Sequence, residues 1–144
     1  MSARNVDVVR AFFAGNPDDL VAAVDDPEWV EIVKRGLEGL LTPDFEFVTV
    51  RQSVGMPGAR RGVEGFLTAY RAYAEMWQSY SLTPQNFEEV GDRVVVEARI
   101  SGTTRRGGVQ LEQAVAAVYT LEGDRIKRIE EFSDVESAYA AARD

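Results

Sequence analysis

A chain of 144 residues suits one domain with its own core, and 45% hydrophobic and 28% charged residues are ordinary globular values. Its 16 basic residues against 24 acidic ones leave a net charge of −8, which argues against nucleic acid or an anionic membrane as the main partner. With no cysteine and no histidine, disulfides, thiolate catalysis, the commonest neutral-pH base and the commonest transition-metal ligands are all removed.

Acid–base chemistry therefore has to rest on Asp, Glu, Tyr, Arg or the two lysines, Lys34 and Lys127. No apolar run approaches the ~20 residues that a membrane-spanning helix needs. The N-terminal stretch is broken by Asp7, Arg10 and Gly15 and does not read as a leader, so a cytoplasmic protein is expected.

Taken in order, the chain opens with three amphipathic segments. Asn5 is placed to cap a helix carrying Val6, Val9, Phe12 and Phe13 on one stripe. Asn16 with Pro17 predicts a second, short helix with Leu20, Val21 and Val24 inward. Asp26 with Pro27 repeats the device for a third that holds Trp29, Val33, Leu37 and Leu41 and stops at Thr42-Pro43-Asp44. A first strand is expected over residues 45–50 and a glycine-rich loop over 53–62, where Arg60 and Arg61 read as a solvated pair. Next comes a helix with Val63, Phe66, Leu67, Tyr70, Ala74 and Trp77 on its inner stripe. Tyr70, Tyr73 and Trp77 are large enough either to fill a core or to wall an apolar cavity.

A meander follows. Residues 80–90 read as a strand, with Pro84 marking an edge or a bulge, and Gly91-Asp92 turns into a strand over 93–104. Residues 105–108 close a hairpin into residues 109–134, two strands joined at Glu122-Gly123-Asp124, and a terminal helix is expected over 134–142. Alternation puts Leu111, Gln113, Val115, Ala117, Tyr119 and Leu121 on one face, Gln113 being the polar member of that row. Ile129 and Glu131 share a face of the last strand. A carboxylate that follows an isoleucine inward is either a rim residue paired with an arginine or the polar feature of a pocket. In residues 93–104, Val94, Val96, Ala98 and Ile100 make the more apolar face, which predicts Glu97 and Arg99 outside.

The expected architecture is α+β: a curved antiparallel sheet wrapped by N-terminal helices against one face, cone-shaped with a central pocket, as one domain over residues 1–144. In this order of elements the chain resembles the SnoaL-like branch of the nuclear transport factor 2-like superfamily. The resemblance is carried by RGVEGF at 61–66, GDRVVVEARISG at 91–102, LEQAVAAVYTL at 111–121 and GDRIKRIEEFSD at 123–134. It implies the cone fold, a frequent homodimer and a range of activities that includes polyketide cyclases, ketosteroid isomerases and epoxide hydrolases beside non-enzymatic members.

Residue by residue, the resemblance places Ala117 where the cyclases carry a histidine and Glu131 where they carry an aspartate. Epoxide-hydrolase-like members pair an Arg and an Asp two apart on one strand with a last-strand acid. Here Glu97-Ala98-Arg99 has the reverse order, and Glu131 again stands at the acid. The resulting candidate is Glu131 as acid or base, with Tyr70, Trp77, Gln113, Ala117, Tyr119 and Ile129 as pocket lining. Arg51 is a further candidate for an anionic substituent. The expected ligand is small, apolar and oxygenated, and no metal or other cofactor is expected. A cofactor-independent enzyme, a ligand-binding protein without chemistry and a dimeric interaction module all stay open.

Overall fold

The computed structural model describes residues 2–14, 19–49 and 58–143. The elements run α1 (Ser2–Ala14), α2 (Leu20–Val24), α3 (Pro27–Leu40), β1 (Leu41–Thr49), β2 (Gly58–Arg61), α4 (Gly62–Met76), β3 (Trp77–Val90), β4 (Arg93–Thr104), β5 (Gln110–Glu122), β6 (Arg125–Phe132) and α5 (Val135–Arg143).

The strands make one six-stranded sheet in the order β2-β1-β6-β5-β4-β3, left open between its two edge strands. Register shifts at Trp77/Ser79, Pro84/Asn86, Thr120/Leu121 and Leu41/Glu46 add local bends that help it curve around the helices. The expected α+β class and helix-wrapped curved sheet stand. Four of the five strand pairs are antiparallel, but β1 runs parallel to β6, so the sheet is mixed. Side-chain alternation cannot reveal this, because it is the same in either direction.

The local corrections have physical causes. α2 is capped by Asp19, whose Oδ1 accepts the Val21 amide, while Asn16 and Pro17 lie outside the described residues. Asp26 caps α3 with Pro27 in its first turn, as the sequence predicts. That helix passes straight into β1 at Leu41, since Leu41, Phe45 and Phe47 all bury into the core and the irregularity between Leu41 and Glu46 absorbs Pro43. Residues 58–61, expected as loop, pair with β1 as an edge strand. Trp77 begins β3 instead of ending α4. At that corner Arg105 Nη2 donates to the carbonyl oxygens of Ala74 and Trp77, each at 3.1 Å.

The core lies between α1–α4 and one face of the sheet, centred on Val9, Phe12, Phe45, Phe66, Val94, Val96, Tyr119 and Ile129. A second cluster sits on the opposite face, where Ala138 and Ala142 of α5 cover Val95, Ala116 and Val118. The helices thus occupy both faces, not one. Alternation along β4 explains why: Val95 is apolar between the inward Val94 and Val96, so it needs its own cover.

Candidate functional site

On the inner face the ladder aligns Phe87, Val96, Ala117 and Glu131 as neighbours across β3, β4, β5 and β6. The adjoining row aligns Val94, Tyr119, Ile129 and Phe47. Two alanines, Ala98 and Ala117, leave the sheet short of side-chain volume beside Glu131, and a small hollow results. Its sheet walls are Val96, Ala98, Val115, Ala116, Ala117 and Tyr119. Phe13 of α1 and Leu82 of β3 close it, and Glu131 is the one carboxylate among its described lining residues. Its volume is about 20 Å³, room for a single water molecule.

Aromatic rings pack tightly around it. Phe13 meets Phe12 at 5.6 Å and Phe87 at 5.9 Å edge-on and Tyr119 at 5.8 Å in a tilted pair, while Phe12 is 5.7 Å from both Phe66 and Tyr119. Each such pair adds about 1 kcal/mol beyond its burial. Tyr119 is 3% exposed, and burial first, then the neighbouring Tyr70 and the Glu131 carboxylate, push its phenol well above the usual range. At neutral pH Tyr119 is therefore a neutral hydrogen-bond donor beside a carboxylate, a pairing that supports proton transfer next to a stabilised oxyanion.

Of the predicted set, Ala117, Tyr119 and Glu131 line one hollow. Tyr70 stands behind them, its ring 4.4 Å from Phe66 and close enough to Tyr119 to act on its titration. Ile129 is buried beside Tyr119 in the ladder. Trp77 packs on Tyr80 at 5.2 Å and against Gly102, away from the hollow. Gln113 keeps the predicted face, opposite Ile100, but it is exposed because β5 extends there past the end of β6. Arg51 and the side chain of Tyr73 lie outside what is described. Phe13 and Leu82 were missed as lining. The signal that could have found the hollow is the pair of alanines in otherwise bulky strand faces.

Glu97 and Arg99 face outward, as the apolar alternation predicts. Glu97 Oε2 accepts from Asn86 Nδ2 at 2.9 Å and from the Tyr139 hydroxyl at 3.3 Å, and Arg99 Nη2 lies 3.3 Å from Glu112 Oε1. Among the described residues no group of three or more Asp or Glu side chains is placed to hold a metal ion, and no helix is long and apolar enough to cross a membrane.

The SnoaL-like domain model matches residues 6–129. No curated protein matches the sequence. Among solved structures, TerC co-crystallised with polyporic acid is 21% identical, with a TM-score of 0.68 over 98% of this chain and 99% of its own. An NTF2-like protein of unknown function from Burkholderia pseudomallei K96243 is 19% identical, with a TM-score of 0.70 over 93% of both chains. A protein of Jannaschia sp. CCS1, provisionally named a SnoaL-like polyketide cyclase, is 19% identical, with a TM-score of 0.68 over 99% of this chain and 93% of its own. At these identities the likeness is one of fold.

Proposed function

Given that the chain belongs to the SnoaL-like domain family, we propose that it takes a small, apolar, oxygenated metabolite at the inner hollow and moves a proton there with Glu131. The observation that carries this reading is the placement of Glu131 in an otherwise apolar lining next to the buried Tyr119 phenol. In the proposed step the Glu131 carboxylate takes a proton from a carbon next to a carbonyl. Tyr119 donates a hydrogen bond to the oxygen as negative charge gathers on it. Protonated Glu131 then returns the proton to the substrate, so isomerisation or ring closure proceeds without a cofactor.

The ligand enters by displacing the Phe13 ring, because the closed hollow is too small for an organic molecule. TerC, a structural relative, was crystallised with polyporic acid, which supports testing oxygenated aromatic compounds first. The loss of histidine at Ala117 removes a His–acid pair there and favours plain ligand binding, the second reading, over a cyclase-like reaction.

The reading includes a cytoplasmic homodimer. What supports self-association is the start of β5 and the residue before it: Val109 and Leu111 are 51% and 45% exposed, and the β6 pairing begins only at Ala116. Sedimentation at graded concentrations tests that part.

The site is tested by thermal-shift measurements of wild type and Glu131→Gln against ketones, epoxides and aromatic polyketide-like compounds. A stabilising ligand whose effect changes in Glu131→Gln, followed by turnover in wild type alone, is the expected result. Stabilisation that ignores the substitution would assign plain binding and remove the catalytic role.

A further inference from the structure

The outer face of the sheet carries a second arrangement, independent of the inner hollow. The ladder registers Arg93 of β4 with Thr120 of β5, Thr120 with Arg128 of β6, Arg128 with Glu46 of β1, and Glu46 with Arg61 of β2. One straight row across five strands thus reads Arg-Thr-Arg-Glu-Arg. It floors a cleft of about 330 Å³. Directly opposed side chains on neighbouring strands start about 5 Å apart, so two long guanidinium arms flank one short hydroxyl and leave a concavity above it.

The charges in the cleft are unevenly satisfied. Arg61 lies 3.7 Å from Glu46, while Arg128 lies 3.5 Å from Glu46 and 3.6 Å from Glu130, long for charge-assisted hydrogen bonds. Lys127 is 3.1 Å from Glu122, and Asp44, held below the usual carboxyl range first by Thr42, also feels Lys127 and Arg61. Arg93 differs from all of these. Its Nη1 donates to the Ala141 carbonyl oxygen at 2.7 Å and reaches that of Ala142 at 3.5 Å, at the C-terminal end of α5, and no carboxylate among the described residues forms an ion pair with it. The Nε of Arg93 is covered and lacks an acceptor, whereas the covered Nε of Arg128 has only the long 3.5 Å contact with Glu46 Oε1. A covered cationic donor without an acceptor is an unfavourable state that an oxyanion relieves.

We propose that Arg93, Thr120 and Arg128 form an outer-face binding site for a small monocarboxylate. A carboxylate seated over Thr120 accepts from its hydroxyl. With a small turn of either arginine it also accepts from a guanidinium edge, whose planar fork matches its two oxygens. Glu46 and Glu130 stand beside the seat and repel a doubly charged anion, as does the net charge of −8, so the site discriminates against phosphate.

The test is a sodium acetate titration followed by NMR of the Thr120 amide and the arginine Nε–H groups, with ionic strength held constant by sodium chloride. Saturable shifts are expected at Arg93, Thr120 and Arg128, unchanged in Glu131→Gln. Thr120→Val, which keeps the β-branched shape, weakens acetate about tenfold, the scale of one hydrogen bond to a charged group. Arg128→Gln removes saturation while amides outside the cleft stay in place. Equal shifts from chloride alone, equal affinity for inorganic phosphate, or identical titrations of wild type and Thr120→Val would each overturn the assignment.

Discussion

Glu131 and Ala117 face one another across the β5–β6 ladder, the only carboxylate and the smallest kind of side chain among the described residues around the inner hollow. Their juxtaposition creates the space that the acid looks into.

Filling that space should separate the site from the fold. Ala117→Leu adds more volume than the hollow holds, about 20 Å³. It is expected to cost about 2 kcal/mol through overpacking and to abolish any ligand-induced rise in Tm. Ligand stabilisation retained in a folded Ala117→Leu protein would place the ligand elsewhere.

Alkaline pH should report the Tyr119 environment. Its phenol is raised in the folded state, so above about pH 10 the unfolded chain has lost a proton that the folded chain still holds. Stability is therefore fully present below that pH. It falls as pH rises toward the folded-state value, by up to about 1.4 kcal/mol per pH unit for this one group. Tyr139, raised by burial first and then by Glu88 and Glu97, acts in the same direction. Urea unfolding between pH 8 and 11 is expected to show the decline, and Tyr119→Phe to make it shallower. An unchanged slope in that variant would contradict a buried, neutral Tyr119.

Asp19 joins two elements with one oxygen. Its Oδ1 accepts the Val21 amide at 3.0 Å and the Tyr80 amide at 3.1 Å, so the cap of α2 also anchors the start of β3. Asp19→Ala should destabilise by about 2 kcal/mol, and Asp19→Asn, which keeps an acceptor, by clearly less. Equal losses in chemical denaturation would assign the effect to charge instead of hydrogen bonding.

Gly102 is required by close approach, not by turn conformation. A Cβ there would press on the Ser79 carbonyl oxygen and the Trp77 ring, at the register shift where β3 begins. Gly102→Ala is expected to cost about 2 kcal/mol and to move Trp77 fluorescence. Gly36→Ala, where a Cβ meets nothing within 4 Å, serves as the control and should be neutral or slightly stabilising.

Much of the inner face was legible along the chain because period-2 alternation is a local signal. Val94, Val96, Ala98 and Ile100 point inward as their pattern demands, which sends Glu97 and Arg99 out to Asn86, Tyr139 and Glu112. Alternation assigns a face but not a cover. Gln113 and Tyr119 share one face, yet Tyr119 lies beneath Phe12 and Phe13 while Gln113 reaches solvent beyond the end of β6. Trp77 fits a helical stripe and a strand start equally well, and the Arg105 clamp at the α4–β3 corner comes from a residue 28 positions away.

By itself the sequence determined the α+β class, most strand and helix bodies, the Asp26 cap of α3 (Asn5, expected as a cap, lies inside α1), and the restriction of acid–base chemistry to carboxylates, phenols, lysines and arginines. These follow from short-range periodicity, backbone preferences and composition. The tertiary structure alone decided the parallel β1–β6 pairing, the move of α5 to the opposite face, the closure of the hollow by Phe13 and the alignment of Arg93, Thr120 and Arg128. Each depends on which strand lies beside which and at what register, a choice made by long-range burial that no local pattern encodes.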